Sequence, residues 1–121
     1  MESIAESALH LALRGLNLRQ RVIANNVANA DTPRFKAGEV RFEEELRQAL
    51  RRAPDGAALR EQVIPRIVVP ENRVSQMDEN SVDMDRQLLA LTETSMRYNA
   101  VSRALGERLA LYRSVLSDGR T

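Results

Sequence analysis

The chain has no cysteine and no tryptophan, one histidine, one lysine, and only two Phe and two Tyr in 121 residues. The missing thiols exclude a disulfide scaffold, a thiolate zinc site and a cysteine nucleophile, and leave a periplasmic or extracellular location open. So few rings cannot anchor a large compact core or supply a stacking platform for bases and sugars. Charge of one sign is lacking too. With 18 Lys+Arg against 17 Asp+Glu the net charge is +1, so no large field draws the chain to nucleic acid or an anionic membrane. No apolar run approaches the ~20 residues that cross a bilayer. The start Met1-Glu2-Ser3 has no basic region, and Glu6, His10 and Arg14 interrupt the apolar residues that follow. A cleaved signal peptide is therefore not expected, and the protein should be soluble when made. The length allows one domain. Its apolar content is Leu, Ala, Val and Ile, with 29% charged residues and five glycines, which predicts long amphipathic helices rather than a sandwich or barrel.

Two strong helical patterns lie at the two ends. The first runs from Ser3 to about Asn29, where Ser3 and Glu6 have the spacing of a capping box. Leu9, Leu13, Leu16, Ile23 and Val27 form one stripe, with Gln20 at the interrupted position. Gly15 lies inside this helix at a cost of about 1 kcal/mol relative to Ala, so either a neighbouring backbone comes close there, the preferred reading, or the helix tolerates a weak point. Asp31-Thr32-Pro33 ends the helix, because proline disfavours helical geometry in the residue before it. The second pattern is expected to open with Asn80 or Ser81 as N-cap and to run to about Leu116, closed by Ser117-Asp118-Gly119. Leu91, Tyr98, Leu105 and Tyr112 repeat every seven residues, flanked by Met84, Leu88, Ser95, Ser102, Leu109 and Leu116. A chain this small cannot cover both stripes. They are expected to pack together as an antiparallel, coiled-coil-like pair, through Leu9, Leu13, Leu16 and Ile23 against Leu91, Tyr98, Leu105 and Leu109, and to want further partners.

The sequence divides into a first helical segment at 1–32, a less regular middle at 33–79 and a last helix at 80–117. Within the middle, 42–53 reads as a short helix with Phe42, Leu46, Ala49 and Leu50 on one face, broken by Pro54-Asp55-Gly56. Val63 to Pro70 is β-branched and bracketed by prolines, so it predicts an extended or edge strand. Residues 71–79 read as polar linker.

Catalytic chemistry finds little support. His10 stands alone on a helix, with no Cys beside it and no G-x-S-x-G elsewhere, so it reads as a surface residue. Asp78, Glu79, Asp83 and Asp85 lack the alternating ligands and turn glycine of a calcium loop, and fit better as carboxylates at the start of a helix. No glycine-rich phosphate loop is present. The sequence thus predicts no enzyme, no cofactor, no metal site and no small-molecule substrate.

The unusual element is Ala24-Asn25-Asn26-Val27-Ala28-Asn29-Ala30-Asp31-Thr32-Pro33. Asparagine is a poor helix former, because its amide competes for the backbone, and three stand within five residues here. Ending the helix is one role for them. A sharper one is that Asn25 and Asn29, one turn apart and away from Ile23, bond to neighbouring chains together with Asp31.

Residues Arg19 to Lys36, with their A-N-N-x-A-N-A-D-T-P core, resemble the N-terminal signature of bacterial flagellar rod and hook proteins. Asn80-Ser81-Val82-Asp83-Met84-Asp85-Arg86 and Ser95-Met96-Arg97-Tyr98-Asn99-Ala100 resemble the C-terminal helix of a proximal rod member of that family rather than of its sister rod protein. One departure is Arg34, where the family commonly has Gly. The resemblance implies a structural subunit of the proximal rod that transmits torque, exported uncleaved through the flagellar type III apparatus. It also implies a periplasmic position above the inner-membrane (MS) ring. Its partners would be other copies of itself, other rod proteins, and that ring or its adaptor. On this reading Asn26, Asn99 and Tyr112 join the stripe residues and Asn25, Asn29 and Asp31 as assembly residues. The rival from another class is a non-flagellar, Arg-rich helical module that binds nucleic acid. Basic residues spread over both helices and nearly matched by acids argue against it.

Overall fold

A computed structural model of the chain describes residues 3–70 and 82–118. It is mainly helical. The elements run α1 (Ile4–Ala28), β1 (Glu39–Arg41), α2 (Glu43–Arg52), α3 (Gly56–Gln62), β2 (Arg66–Val68) and α4 (Met84–Asp118). The long terminal helices α1 and α4 lie antiparallel, with Ser3 bonded to Arg108 at one end and Asn26 to Gln87 at the other. Helices α2 and α3 and strand β1 pack against α1, and β2 pairs with β1.

Local chemistry accounts for the boundaries. Ser3 caps α1, its hydroxyl accepting from the Glu6 amide at 3.1 Å. The helix closes on Asn29, whose amide bonds back to Asn25 and Asn26 carbonyls. Helix α2 begins with Glu43, Glu44 and Glu45 and ends with Arg51 and Arg52, so charge complements its dipole at both ends. Pro54-Asp55-Gly56 breaks that helix as expected, but it also starts another. Asp55 accepts from the Ala58 amide at 2.8 Å and caps α3, a helix the sequence reading missed. The segment 63–70 contains β2, which pairs antiparallel with β1 in the register Glu39↔Val68, Val40↔Ile67, Arg41↔Arg66. Strand β1 is too short to show a period and was not anticipated.

At the start of α4 the expected cap is corrected. Val82 and Asp83 precede the helix, and Asp83 caps it by accepting from the Arg86 amide at 3.3 Å. Asn80, Ser81 and the linker at 71–79 lie outside the described residues.

The core falls into two clusters on α1. Leu11, Ala49, Leu59 and Val63 form one, joined by Ile4, Ala8, Leu46 and Ala53. Leu16, Val40 and Phe42 form the other, joined by Leu18, Val22, Tyr98 and Val101 among others. Helix α1 is thus apolar on two sides. The expected stripe from Leu9 to Val27 is one; the second is Ile4, Ala8, Leu11, Gly15, Leu18 and Val22, at the same alternation of three and four, and it carries the middle segment. Within α2, Ala49 is buried as expected whereas Leu50 is 42% exposed.

Candidate assembly interface

The α1–α4 hairpin is closed by Asn26. This side chain is 1% exposed, and its amide saturates three partners. Its Nδ2 donates to the Gly38 carbonyl and to Gln87 Oε1, each at 3.0 Å. Its Oδ1 accepts from the Gly38 amide at 3.0 Å. Pairing both backbone groups of one residue is what a neighbouring strand does, so Asn26 holds the entry to β1 against α1 while reaching across to α4. An amide carries two N–H donors and an acceptor oxygen, so one side chain can make all three bonds. Asn26, expected at an interface between chains, is spent inside this one.

Its neighbours behave differently because successive helix positions differ by about 100°. Asn25 is exposed. Asn29 donates to the Asn25 carbonyl at 2.8 Å and to Asn25 Oδ1 at 3.3 Å, and its own Oδ1 accepts from the Thr32 hydroxyl at 3.1 Å. Asn29 thus has a role in ending α1, the plainer of its two expected roles. Asp31 and Asn99 are exposed. The turn that follows has one backbone conformation outside the ordinary range, Arg34 with φ 65. That left-handed geometry favours glycine.

Arg19 lies within the signature, where nothing in the sequence marks it out, and its contacts make it central. It donates to the Val40 carbonyl at 2.8 Å, pairs with Glu43, and lies 5.1 Å from the centroid of the Phe42 ring. Arg97 of α4 reaches the same carboxylate at 3.4 Å, so Glu43 ties α1, α2 and α4 together. Burial raises the Glu43 pKa, but the Arg19 hydrogen bond and charge, the backbone and Arg97 together outweigh it, and the net shift is downward. The Phe42 ring occupies the space a side chain at Gly15 would need. A Cβ there would meet ring atom Cζ at 2.7 Å and two others closer still. The close neighbour expected at Gly15 is therefore a ring, not a backbone.

The seam on α4 is rotated by about one residue from the expected one. The positions that face inward are Gln87, Thr94, Val101 and Arg108, alongside Tyr98 and the 8%-exposed Leu105. Thr94 turns its hydroxyl back onto the Ala90 carbonyl at 2.6 Å, which lets a polar residue sit there at 2% exposure. Arg108 Nε and Ser7 Oγ are buried without partners among the described residues. On α1, Leu16 and Ile23 are buried while Leu9 and Leu13 are half-buried. Leu91 and Leu109, expected in the seam, are 37% and 48% exposed, and Tyr112 is 42% exposed. The stripe is thus buried only in its middle, at Tyr98 and Leu105, and open towards both ends of α4.

His10 is exposed, Asp83 is a cap and Asp85 lies in the first turn of α4. Among the described residues no three His, Cys, Asp or Glu converge to hold a metal, and no helix is long and apolar enough to cross a membrane.

The geometry joins the asparagine signature to the helix pair, and the similarities to known proteins fall on the same elements. A family model described as "Flagella basal body rod protein" matches residues 4–36, which span α1 and the turn through Arg34. The flagellar basal body rod protein FlgB of Escherichia coli (strain K12) is 31% identical over 132 aligned positions, covering 94% of this chain and 96% of that protein. The chain belongs to the FlgB family of flagellar basal body rod proteins. Within that family the FlgB of Borrelia hermsii is 34% identical over 74% of this chain and 78% of its own length. The FlgB of Bacillus subtilis (strain 168) is 29% identical over 93% of this chain and 92% of its own. The family is structural and is not known for catalysis.

Proposed function

We propose that the chain is a structural subunit of the proximal rod of the flagellar basal body, assembled helically above the inner-membrane ring and transmitting torque. It is exported through the flagellar type III apparatus without cleavage of a signal peptide. Other copies of itself, other rod proteins, and the ring or its adaptor are its partners. The observation that carries this reading is an antiparallel helix pair, closed from within by the family's own signature, that leaves an apolar row exposed along α4. A large exposed apolar row on a small chain marks a surface for other molecules.

Deleting the gene in the source bacterium should abolish swimming, and a tagged copy should restore it and co-purify with basal bodies. Complete rods in the deletion strain would refute the assignment. Asn25 and Asp31, exposed at the end of α1, remain the proposed contacts to neighbouring subunits, with Asn29 shared between that role and the cap. Changing Asn25 and Asn29 together to Ala should raise intrinsic helicity yet block rod assembly, with the protein still exported.

A further inference from the structure

The heptad stripe of α4 is buried in its middle and exposes a large apolar patch towards each end, and the positions of the two patches in the hairpin differ. Ser3, the cap of α1, is level with Arg108. The last ten residues of α4, Leu109 to Asp118, therefore run about 15 Å past that point at 1.5 Å per residue. They expose Leu109, Tyr112 and Leu116 at 48%, 42% and 68%. At the other end Asn26 meets Gln87, so the start of α4 is nearly flush with the end of α1. There Met84, Leu88 and Leu91 are 40%, 50% and 37% exposed. Between the patches the stripe runs through half-buried Ser95, Tyr98 and Ser102 and buried Leu105.

We propose, resting on the rod-subunit reading, that successive copies join head to tail: the overhanging Leu109, Tyr112 and Leu116 of one copy seat on Met84, Leu88 and Leu91 of the next.

Charge selects this pairing. The overhang carries Arg113 within its apolar patch and Asp118 only at its tip, whereas Asp83 and Asp85 stand at the opening of α4 before its first base, Arg86. Overhang against helix start brings Arg113 towards Asp85. Overhang against overhang, the two-fold alternative, brings arginine to arginine and is disfavoured by like charge. A contact between two different patches is heterologous, so each copy keeps one free patch of each kind and the chain of contacts propagates.

Because the chain has no cysteine, engineered thiols report the contact directly. In basal bodies from cells making the full-length chain with both Leu88→Cys and Tyr112→Cys, mild oxidation should give a ladder of dimers, trimers and higher species. Each single variant should stay monomeric, and the two coexpressed should stop at a dimer. A double variant that is present in basal bodies but gives no ladder overturns the head-to-tail contact while leaving the rod assignment intact; so does dimerisation of Tyr112→Cys alone. If swimming survives deletion of the gene, it is the rod assignment that fails. Should the thiol variants not assemble, charge reversal decides: Asp85→Arg and Arg113→Asp should each abolish swimming and the pair together restore it. Failure of the pair to restore swimming overturns the proposal.

Discussion

Asn26 supplies the sharpest test of the hairpin. Replacing it with Ala removes three hydrogen bonds of 3.0 Å and strands both backbone groups of Gly38 and the Gln87 amide oxygen in a partly buried site. At about 1 kcal/mol net per bond the loss is about 3 kcal/mol, and the better helix propensity of Ala returns only a few tenths of that. Against a total of roughly 5–15 kcal/mol for a domain of this size the loss is large. With a urea dependence of about 2 kcal/mol/M, the unfolding midpoint should fall by about 1.5 M. The control is Asn25→Ala, the same chemical change one residue earlier on an exposed side chain, which should shift stability by no more than about 0.5 kcal/mol. Chemical denaturation followed by circular dichroism measures both. If the two substitutions cost the same, or if Asn26→Ala costs under about 1 kcal/mol, the amide does not hold the hairpin closed.

Three further outcomes follow from other side chains. Gly15→Ala should gain about 1 kcal/mol of helix propensity yet lose more to overpacking against the buried Phe42 ring, for a net loss of about 1–2 kcal/mol in a urea melt; a stabilised variant would show that the ring moves freely. Arg34→Gly should relieve the roughly 1–2 kcal/mol of left-handed strain while adding flexibility to the unfolded chain, a net gain of about 0.5–1 kcal/mol, and a lower melting temperature would contradict it. Glu43, held below the ordinary carboxylate range by the Arg19 hydrogen bond and the Arg19 and Arg97 charges, contributes stability that is present above the unfolded pKa and lost as pH falls through the lower folded value. Melts from pH 6 down to pH 3 should therefore fall less steeply for Glu43→Gln than for the unmodified chain, and identical slopes would exclude the ion pair with Arg19 and Arg97 as the cause.

The sequence revealed the two long helices because their apolar repeats extend over many turns, and it revealed α2 because charge of opposite sign marks its two ends. Helix α3 and strand β1 were hidden for a common reason. Each is short, and each is held by contacts distant in the chain: Leu59, fully buried, against Leu11, and Val40 under the Arg19 bond. The single stripe assigned to α1 was incomplete because period alone does not say how many sides of a helix are covered. The roles within the asparagine cluster were illegible for a related reason. Three chemically identical side chains, set about 100° apart or one turn apart, meet different surroundings, and what separates Asn26 from Asn25 is Gly38, twelve residues on. The α4 seam was misjudged by one residue in places because the most apolar stripe was assumed to be the inner one along its whole length. In this chain Tyr98 and Leu105 lie inside, but so do polar Gln87, Thr94 and Arg108, while Leu88, Leu91 and Leu109 remain exposed.

That inversion bears on when the chain assembles. Six large apolar side chains, each roughly half exposed, would gain about 1 kcal/mol apiece on covering, or about 6 kcal/mol for one head-to-tail contact. Joining two free molecules costs an estimated 4–15 kcal/mol in lost translation and rotation and in ordered side chains. One such contact does not hold a pair together in dilute solution. A copy that meets two or more neighbours at once gains from each while losing its freedom only once, so growth on an existing surface is favoured where free pairing is not. The isolated chain should accordingly be monomeric by light scattering at micromolar concentration, even though its patches suffice within a lattice. A stable dimer at that concentration would mean either that the patches bury more than the exposed row suggests or that a different, larger surface pairs the copies. Loss of that dimer in the Tyr112→Ala variant would point to the first explanation, and its persistence to the second.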